Sequence, residues 1–80
     1  MNVKKMKTRK QEILEFITEM AKTDYAGGVR NADDFSVYDC KEDIARKFGH
    51  EVEGYEWPSE QEIEDEYKYT IEELAEAAKQ

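Results

Sequence analysis

The fold of this chain is decided by residues 8–22, TRKQEILEFITEMAK. Thr8 and Gln11 have the spacing of a capping box, in which each side chain bonds the backbone N–H of the other residue. After them, apolar residues recur at steps of three and four, at Ile13, Phe16, Ile17, Met20 and Ala21. This is the period of a helix that buries one face. The stretch predicts a helix over about residues 9–22, which the turn-forming residues from Thr23 to Gly28 end.

A second capping-box pattern lies near the middle of the chain. Asp39 and Glu42 have the required spacing, and Gly49 is suited to end the helix after them. We therefore predict a short helix over about residues 40–48. Its buried side is expected to contain Cys40, Ile44, Ala45 and Phe48.

A third capping box, Ser59 with Glu62, precedes the longest helical pattern. The apolar positions beyond it are spaced by three and four residues and lie at Ile63, Tyr67, Ile71, Leu74 and Ala78. They predict one helix over about residues 60–79. Thr70 and Glu73 offer a competing helix start, so two shorter helices are the alternative.

The remaining segments indicate loops and a short β-ribbon. Residues 23–34 are rich in Gly, Asn and Asp, which favour turns. The stretches Phe35–Tyr38 and His50–Trp57 have extended patterns and could pair with each other. The predicted fold class is thus mainly α, a small single domain of about three helices with a short β-ribbon. A flexible basic N-terminus is expected at 1–8, and the domain at 9–80.

Composition excludes several classes of site. The chain has 80 residues, one cysteine and one histidine. Cys40 alone cannot form an intramolecular disulfide, and with His50 it cannot complete a four-ligand zinc site. Apolar runs fall short of the ~18 residues of a membrane span, and no signal peptide is evident. A soluble cytoplasmic protein, with no cofactor, no bound metal and no membrane partner, is expected.

Charge is distributed very unevenly along the chain. Residues 1–10 have a net charge of +5, whereas residues 51–80 have a net charge of −9. The predicted third helix alone, over 60–79, carries −6. At 1.5 Å per residue this is about one net charge per 5 Å, against one per about 3.4 Å of axis for a single DNA strand. The helix therefore resembles a diluted phosphate strand.

An outward acidic face on this helix is the predicted partner-binding site. Helical geometry places its carboxylates together, with tyrosines among them as contact residues. The predicted partner-binding residues are Tyr55, Glu56, Glu62, Asp65, Tyr69, Glu72, Glu73 and Glu76. The alternative is that these acids only maintain solubility, as on many small proteins. Repulsion between these acids lowers the stability of the helix, and the sequence shows no evident compensation for it. This favours a functional role for the charge.

Residues 42–49, EDIARKFG, resemble the first helix and the turn glycine of a helix-turn-helix motif. Residues 9–17 are similar to the opening helix of winged-helix repressors. The resemblance implies a DNA-binding regulator with a recognition helix after Gly49. The chain instead continues with HEVEGYEWP at 50–58, whose glutamates would repel phosphates. Direct nucleic-acid binding is therefore the alternative and not the leading expectation.

Catalysis is not predicted. Cys40 and His50 offer a nucleophile and a base in principle, but Cys40 falls on a predicted buried stripe where a thiol is inert. We predict a non-enzymatic acidic protein that inhibits or regulates a basic nucleic-acid-handling protein by presenting a DNA-mimicking face. In style such a chain resembles the viral inhibitors that phages and mobile elements direct at host proteins. The third alternative is an adaptor or structural subunit that forms a homodimer.

Overall fold

The computed structural model describes residues 8–50 and 56–79. Three α-helices and one 3₁₀ turn form this part of the chain, and no strand is found in it. The elements are α1 (Arg9–Ala26), the 3₁₀ turn (Val37–Asp39), α2 (Lys41–Phe48) and α3 (Glu60–Ala78). The prediction of a mainly helical chain with three helices is confirmed.

The first helix begins as predicted and ends later. Gln11 N donates to Thr8 Oγ1 at 3.1 Å and Thr8 N donates to Gln11 Oε1 at 2.9 Å, which completes the capping box. The predicted end near residue 22 is wrong, because α1 continues to Ala26. Asp24 is retained in the helix and accepts a hydrogen bond from a tyrosine of α3. Tertiary contact here overrides the weak helix preference of Thr and Asp.

The segment before α2 differs from the prediction. Asp39 does not cap α2, whose N-cap is Cys40 without a side-chain hydrogen bond. Instead Ser36 N donates to Asp39 Oδ2 at 3.1 Å, which fixes the 3₁₀ turn. The structure gives no support to the β-ribbon, because Val37–Asp39 is helical in place of its first strand. Residues 51–55, most of its second strand, lie outside the described residues.

The third helix is one continuous element, as predicted. Glu62 N donates to Ser59 Oγ at 3.1 Å and Ser59 N donates to Glu62 Oε1 at 2.9 Å. Thr70 does not start a second helix, because it is buried and its hydroxyl donates to Glu66 O at 2.9 Å. Such a bond to the preceding turn is the ordinary way a mid-helix threonine satisfies its hydroxyl.

The core lies between α1 and α3 and is closed by the 3₁₀ turn and α2. Its buried apolar residues are Ile13, Ile17, Ala21, Val37, Cys40, Ile44, Ile63, Tyr67 and Ile71. Trp57 packs against this core and is partly buried. The predicted stripes are buried only in part. Ile13, Ile17 and Ala21 of α1 and Ile63, Tyr67 and Ile71 of α3 are buried, whereas Phe16, Met20 and Leu74 are partly buried and Ala78 is exposed. A core of this size is small, so each large member contributes much of the stability.

Three polar contacts cross the α1–α3 interface. Lys10 Nζ lies 2.7 Å from Glu62 Oε2, and Thr18 Oγ1 lies 2.6 Å from Glu66 Oε2. Farther along both helices, the Tyr67 hydroxyl donates to Asp24 Oδ2 at 2.6 Å. The contacts advance along α3 as they advance along α1, from Glu62 to Tyr67 on α3 and from Lys10 to Asp24 on α1. The side of α1 that carries Thr18 therefore flanks α3.

Candidate acidic interface on the third helix

Five of the predicted partner-binding residues form one exposed stripe on α3. At 100° per residue they fall within an arc of about 100°, opposite the buried face. We name this surface the acidic stripe, and its members are Asp65, Tyr69, Glu72, Glu73 and Glu76, all exposed. It is about 16 Å long from Asp65 to Glu76 at 1.5 Å per residue. Its four carboxylates average one per about 5 Å but are unevenly spaced, because Asp65 lies about 10 Å along the axis from Glu72 and the other three follow closely.

The carboxylates of the stripe have few cationic partners. Glu76 lies 3.8 Å from Lys79 Nζ, one turn along the helix. Asp65 accepts a hydrogen bond from the Gln61 side chain at 2.8 Å, which leaves its charge in place. Within residues 8–50 and 56–79, Asp65, Glu72 and Glu73 make no ion pair. Their field is therefore directed at the solvent and at any partner that approaches.

Tyr69 gives the stripe its one aromatic side chain. Its side chain is 59% exposed, which leaves much of the ring available for contact. A hydrogen bond from its hydroxyl to Glu73 raises the pKa of Tyr69 above its ordinary value, and the charge of Glu73 adds to the effect. Tyrosine with an apolar ring and a polar tip is a common anchor at protein interfaces.

Glu62 lies at the N-terminal end of the stripe, and the chain itself occupies both of its oxygens. One caps α3 at Ser59 N, and the other bonds Lys10 at 2.7 Å. The hydrogen bond to Lys10 is the main reason that the pKa of Glu62 is lowered, with the Ser59 backbone N–H second. The same hydrogen bond raises the pKa of Lys10. Glu62 therefore serves the fold first, and its charge is partly compensated.

The two other predicted partner-binding residues precede α3. Glu56 is exposed, and it adds to the electrostatic field that favours the charged form of Lys10. Tyr55 lies outside the described residues, as do Glu51 and Glu53, which the sequence suggests as an extension of the negative surface. The basic segment at residues 1–7 also lies outside them.

Two glutamates of α3 point away from the stripe and hold the fold together. Glu64 Oε2 accepts the Val37 N–H at 3.1 Å and so ties α3 to the 3₁₀ turn. Glu66 Oε2 accepts the Thr18 hydroxyl at 2.6 Å and ties α3 to α1. Both are half-buried. The acids of α3 thus divide into an outward set and an inward set, with different roles.

The sequence did not predict a second acidic surface, which lies in a cleft of about 570 Å³ between α1, the loop after it and α2. Its acidic lining residues are Asp24, Asp34, Asp39 and Asp43. One wall is the ring of Tyr67, on which Phe35 stacks with centroids 3.8 Å apart. These aspartates come from α1, the loop after it, the 3₁₀ turn and α2, so no single local sequence pattern could predict the cluster. The stack of Phe35 on Tyr67 is likewise long-range.

The cysteine is placed as the sequence predicts. Cys40 is 1% exposed, and its thiol donates to Val37 O at 3.4 Å. Burial raises the pKa of Cys40 to about 11, and the nearby charges of Asp43 and Asp39 act in the same direction. A thiol with these properties is a poor nucleophile at neutral pH. Among the residues that the structure describes, no group of three or more His, Cys, Asp or Glu side chains is arranged to hold a metal ion.

The spacing of α2 and α3 bears on the helix-turn-helix resemblance. In that motif a turn of three or four residues joins the two helices. Here α2 ends at Phe48 and α3 begins at Glu60, so the connection is much longer. The first turn of α3 also carries Glu60 and Glu62, which would face phosphates unfavourably. These two helices therefore do not have the geometry of a DNA-reading pair.

Among the described helices, none is apolar over a length that would cross a bilayer. Comparisons with protein-family models, with curated proteins and with solved structures find no match to this chain.

Proposed function

We propose that this chain is a non-enzymatic binding protein whose acidic stripe engages a basic, nucleic-acid-handling protein. By occupying the groove that normally receives a phosphate backbone, the chain inhibits or regulates that protein. The observation that supports this function is the exposed row of carboxylates on one side of α3, from Asp65 to Glu76.

The rigidity of the stripe supports mimicry of a nucleic acid. Its carboxylates are borne by a 19-residue helix that is capped at Ser59 and packed on α1. Their positions are therefore set before binding, which reduces the entropy lost on association. Glu64 and Glu66 contribute to this rigidity through the two contacts that they make with the rest of the chain.

Electrostatics determine how such a protein would act. A row of like charges steers a basic partner toward itself and raises the association rate, most strongly at low ionic strength. Competition with DNA is expected because both ligands need the same cationic side chains of the partner. Tyr69 provides a contact that salt does not screen, and it gives the stripe a feature that a phosphate strand lacks.

A displacement assay tests this function directly. Each of a panel of purified basic DNA-binding proteins is loaded with a fluorescent duplex, and release of the duplex by this chain is measured at several salt concentrations. We expect release from at least one member, falling as salt rises. The triple variant Asp65→Lys, Glu72→Lys, Glu76→Lys is expected to release none while its helix content by circular dichroism stays unchanged.

A matched control separates position from net charge. The triple variant Glu19→Lys, Asp34→Lys, Glu42→Lys changes the net charge equally at three exposed residues outside the stripe. It is expected to release the duplex about as well as the unmodified chain does. Equal loss in both variants would contradict a localised stripe. Binding of duplex by this chain itself would instead support the DNA-binding alternative.

A further inference from the structure

The start of α1 brings the chain close to the acidic stripe. Thr8 caps α1, and two residues later Lys10 Nζ lies 2.7 Å from Glu62 Oε2. Glu62 is in the first turn of α3, about 4.5 Å along the axis from Asp65, the first member of the stripe. One cation of α1 therefore already bonds an acid beside the stripe. The residues that precede Thr8 in the sequence connect to the fold at this place.

Residues 1–7 have a charge that is complementary to the stripe. Their sequence, MNVKKMK, contains three lysines and no acid. On the stripe, Asp65, Glu72 and Glu73 have no ion-pair partner in the described part of the chain. A basic segment and a row of carboxylates attract each other, and this attraction weakens as the salt concentration rises.

Tyr69 offers a second kind of contact to a lysine. Its side chain is 59% exposed, so the face of the ring is accessible. An ammonium group over a tyrosine ring is stabilised by the ring's quadrupole. The chain already shows such a contact elsewhere, because Lys41 Nζ lies 5.4 Å from the centroid of the exposed Tyr38 ring. The stripe thus contains two types of group that bind lysine.

The length of residues 1–7 is sufficient to reach most of the stripe. Seven extended residues span at most about 23 Å, and five span about 16 Å if two are used for a turn toward α3. Glu72 is about 15 Å along the axis from Glu62, and Glu76 is about 21 Å from it. Glu72 is therefore within reach. Glu76 is beyond it, and it lies 3.8 Å from Lys79 on its own helix.

We propose that residues 1–7 bind the acidic stripe of the same chain and compete there with the partner. The competition rests on the function proposed for the stripe, whereas the contact itself does not. An exposed ion pair is weak by itself, but attachment to α1 gives the segment an effective concentration in the millimolar range. A partner then has to displace the three lysines before it can contact the carboxylates from Asp65 to Glu72.

The first test needs no partner. The variant Lys4→Gln, Lys5→Gln, Lys7→Gln and the unmodified full chain are isotope-labelled, and their amide resonances are compared at about 20 mM and about 500 mM salt. We expect the resonances of Asp65, Tyr69 and Glu72 to differ between the two proteins at low salt and to coincide at high salt. The resonance of Glu76 is expected to be the same in both.

A matched control removes the same charge elsewhere. The variant Lys22→Gln, Arg46→Gln, Lys47→Gln changes three exposed cations whose described contacts are on α1 and α2. The resonances of the stripe are expected to be unchanged in this variant at both salt concentrations. Thermal melts confirm that both triple variants fold.

The displacement assay described above tests the competition. A stripe that is occupied about two-thirds of the time binds a partner about threefold more weakly than a free stripe does. The Lys4, Lys5 and Lys7 variant is therefore expected to release the duplex at about threefold lower concentration than the unmodified chain, and the control variant to match the unmodified chain. If no protein releases duplex, the function proposed for the stripe fails, while the resonances still decide whether residues 1–7 bind it.

Four results would overturn the proposal. Identical stripe resonances in the lysine variant and the unmodified chain at low salt would mean that residues 1–7 do not bind there. Differences confined to Glu12 and Glu15 would place the segment on α1. Differences that grow with protein concentration would identify the stripe of a second copy as the site. Equal release of duplex by a variant whose stripe resonances do change would exclude the competition.

Discussion

The contact between Tyr67 and Asp24 makes a sharp test of how α3 is held against α1. Tyr67 is 3% exposed, and its hydroxyl donates to Asp24 Oδ2 at 2.6 Å. Tyr67→Phe removes this hydrogen bond and keeps the ring, so the stack with Phe35 at 3.8 Å persists. A hydrogen bond to a charged group contributes about 1.5–3 kcal/mol to stability. Asp24 is only half-buried and regains water, so the lower end, about 1.5 kcal/mol, is expected.

Thermal unfolding followed by circular dichroism measures the effect. For a domain of this size, a loss of about 1.5 kcal/mol lowers the Tm by about 6–12 °C. Tyr69→Phe is the matched control, because it makes the same chemical change two residues away on a side chain that is 59% exposed. Its effect is expected to stay within about 0.5 kcal/mol. Equal Tm values for the two variants would refute the assignment of Tyr67 and Asp24 as a stabilising pair.

A double-mutant cycle separates this bond from other effects of the substitution. Asp24→Ala and Tyr67→Phe are combined, and the free energy of unfolding is measured for all four proteins. If the two groups interact, the double variant should lose about 1 kcal/mol less than the sum of the single variants. Purely additive losses would mean that the hydroxyl stabilises the chain through something other than Asp24.

Further predictions concern the core, the thiol and the cap of α3. Ile17→Ala, at a residue with 0% exposure, should cost about 2–5 kcal/mol in urea unfolding. Because burial raises the pKa of Cys40 to about 11, the thiol should react with a disulfide reagent at pH 8 only once urea unfolds the chain. The hydrogen bond with Lys10 lowers the pKa of Glu62. The stabilisation that the ionised Glu62 side chain gives the fold is therefore complete above the ordinary pKa of 4.5 and is lost as pH falls through the lowered pKa. Glu62→Gln should therefore make the Tm less sensitive to acid below pH 4.5 than it is in the unmodified chain.

Local signals were enough to predict two helices and their starts. The capping boxes at Thr8 and Ser59 form as the sequence predicts, and one continuous α3 comes after the second. Both signals depend on residues three or four positions apart, so a single sequence contains all the information they need. The burial of Ile13, Ile17 and Ile71 results from the same periodicity.

Tertiary contacts decided the elements that the sequence did not predict. Asp39 has the spacing to cap α2, yet it bonds Ser36 and forms the 3₁₀ turn, which Glu64 then secures through Val37 N. The extension of α1 past residue 22 likewise involves Asp24, whose partner is 43 positions away. Local propensity differs little among these outcomes, and the contact with α3 selects one of them.

The eight acids of α3 show that composition alone does not identify the charges that a partner can contact. Glu64 and Glu66 bond other elements, and Glu60 and Glu62 lie near Lys41 and Lys10. The four carboxylates on the outward side are those of Asp65, Glu72, Glu73 and Glu76, of which Glu76 also lies 3.8 Å from Lys79 on the same helix. Helical periodicity alone cannot make this division for residues that border the buried face, because the neighbouring element decides whether such a side chain turns inward. The local row of four charges on α3, and not the net charge of −8, is therefore the quantity that a charge-reversal experiment has to change.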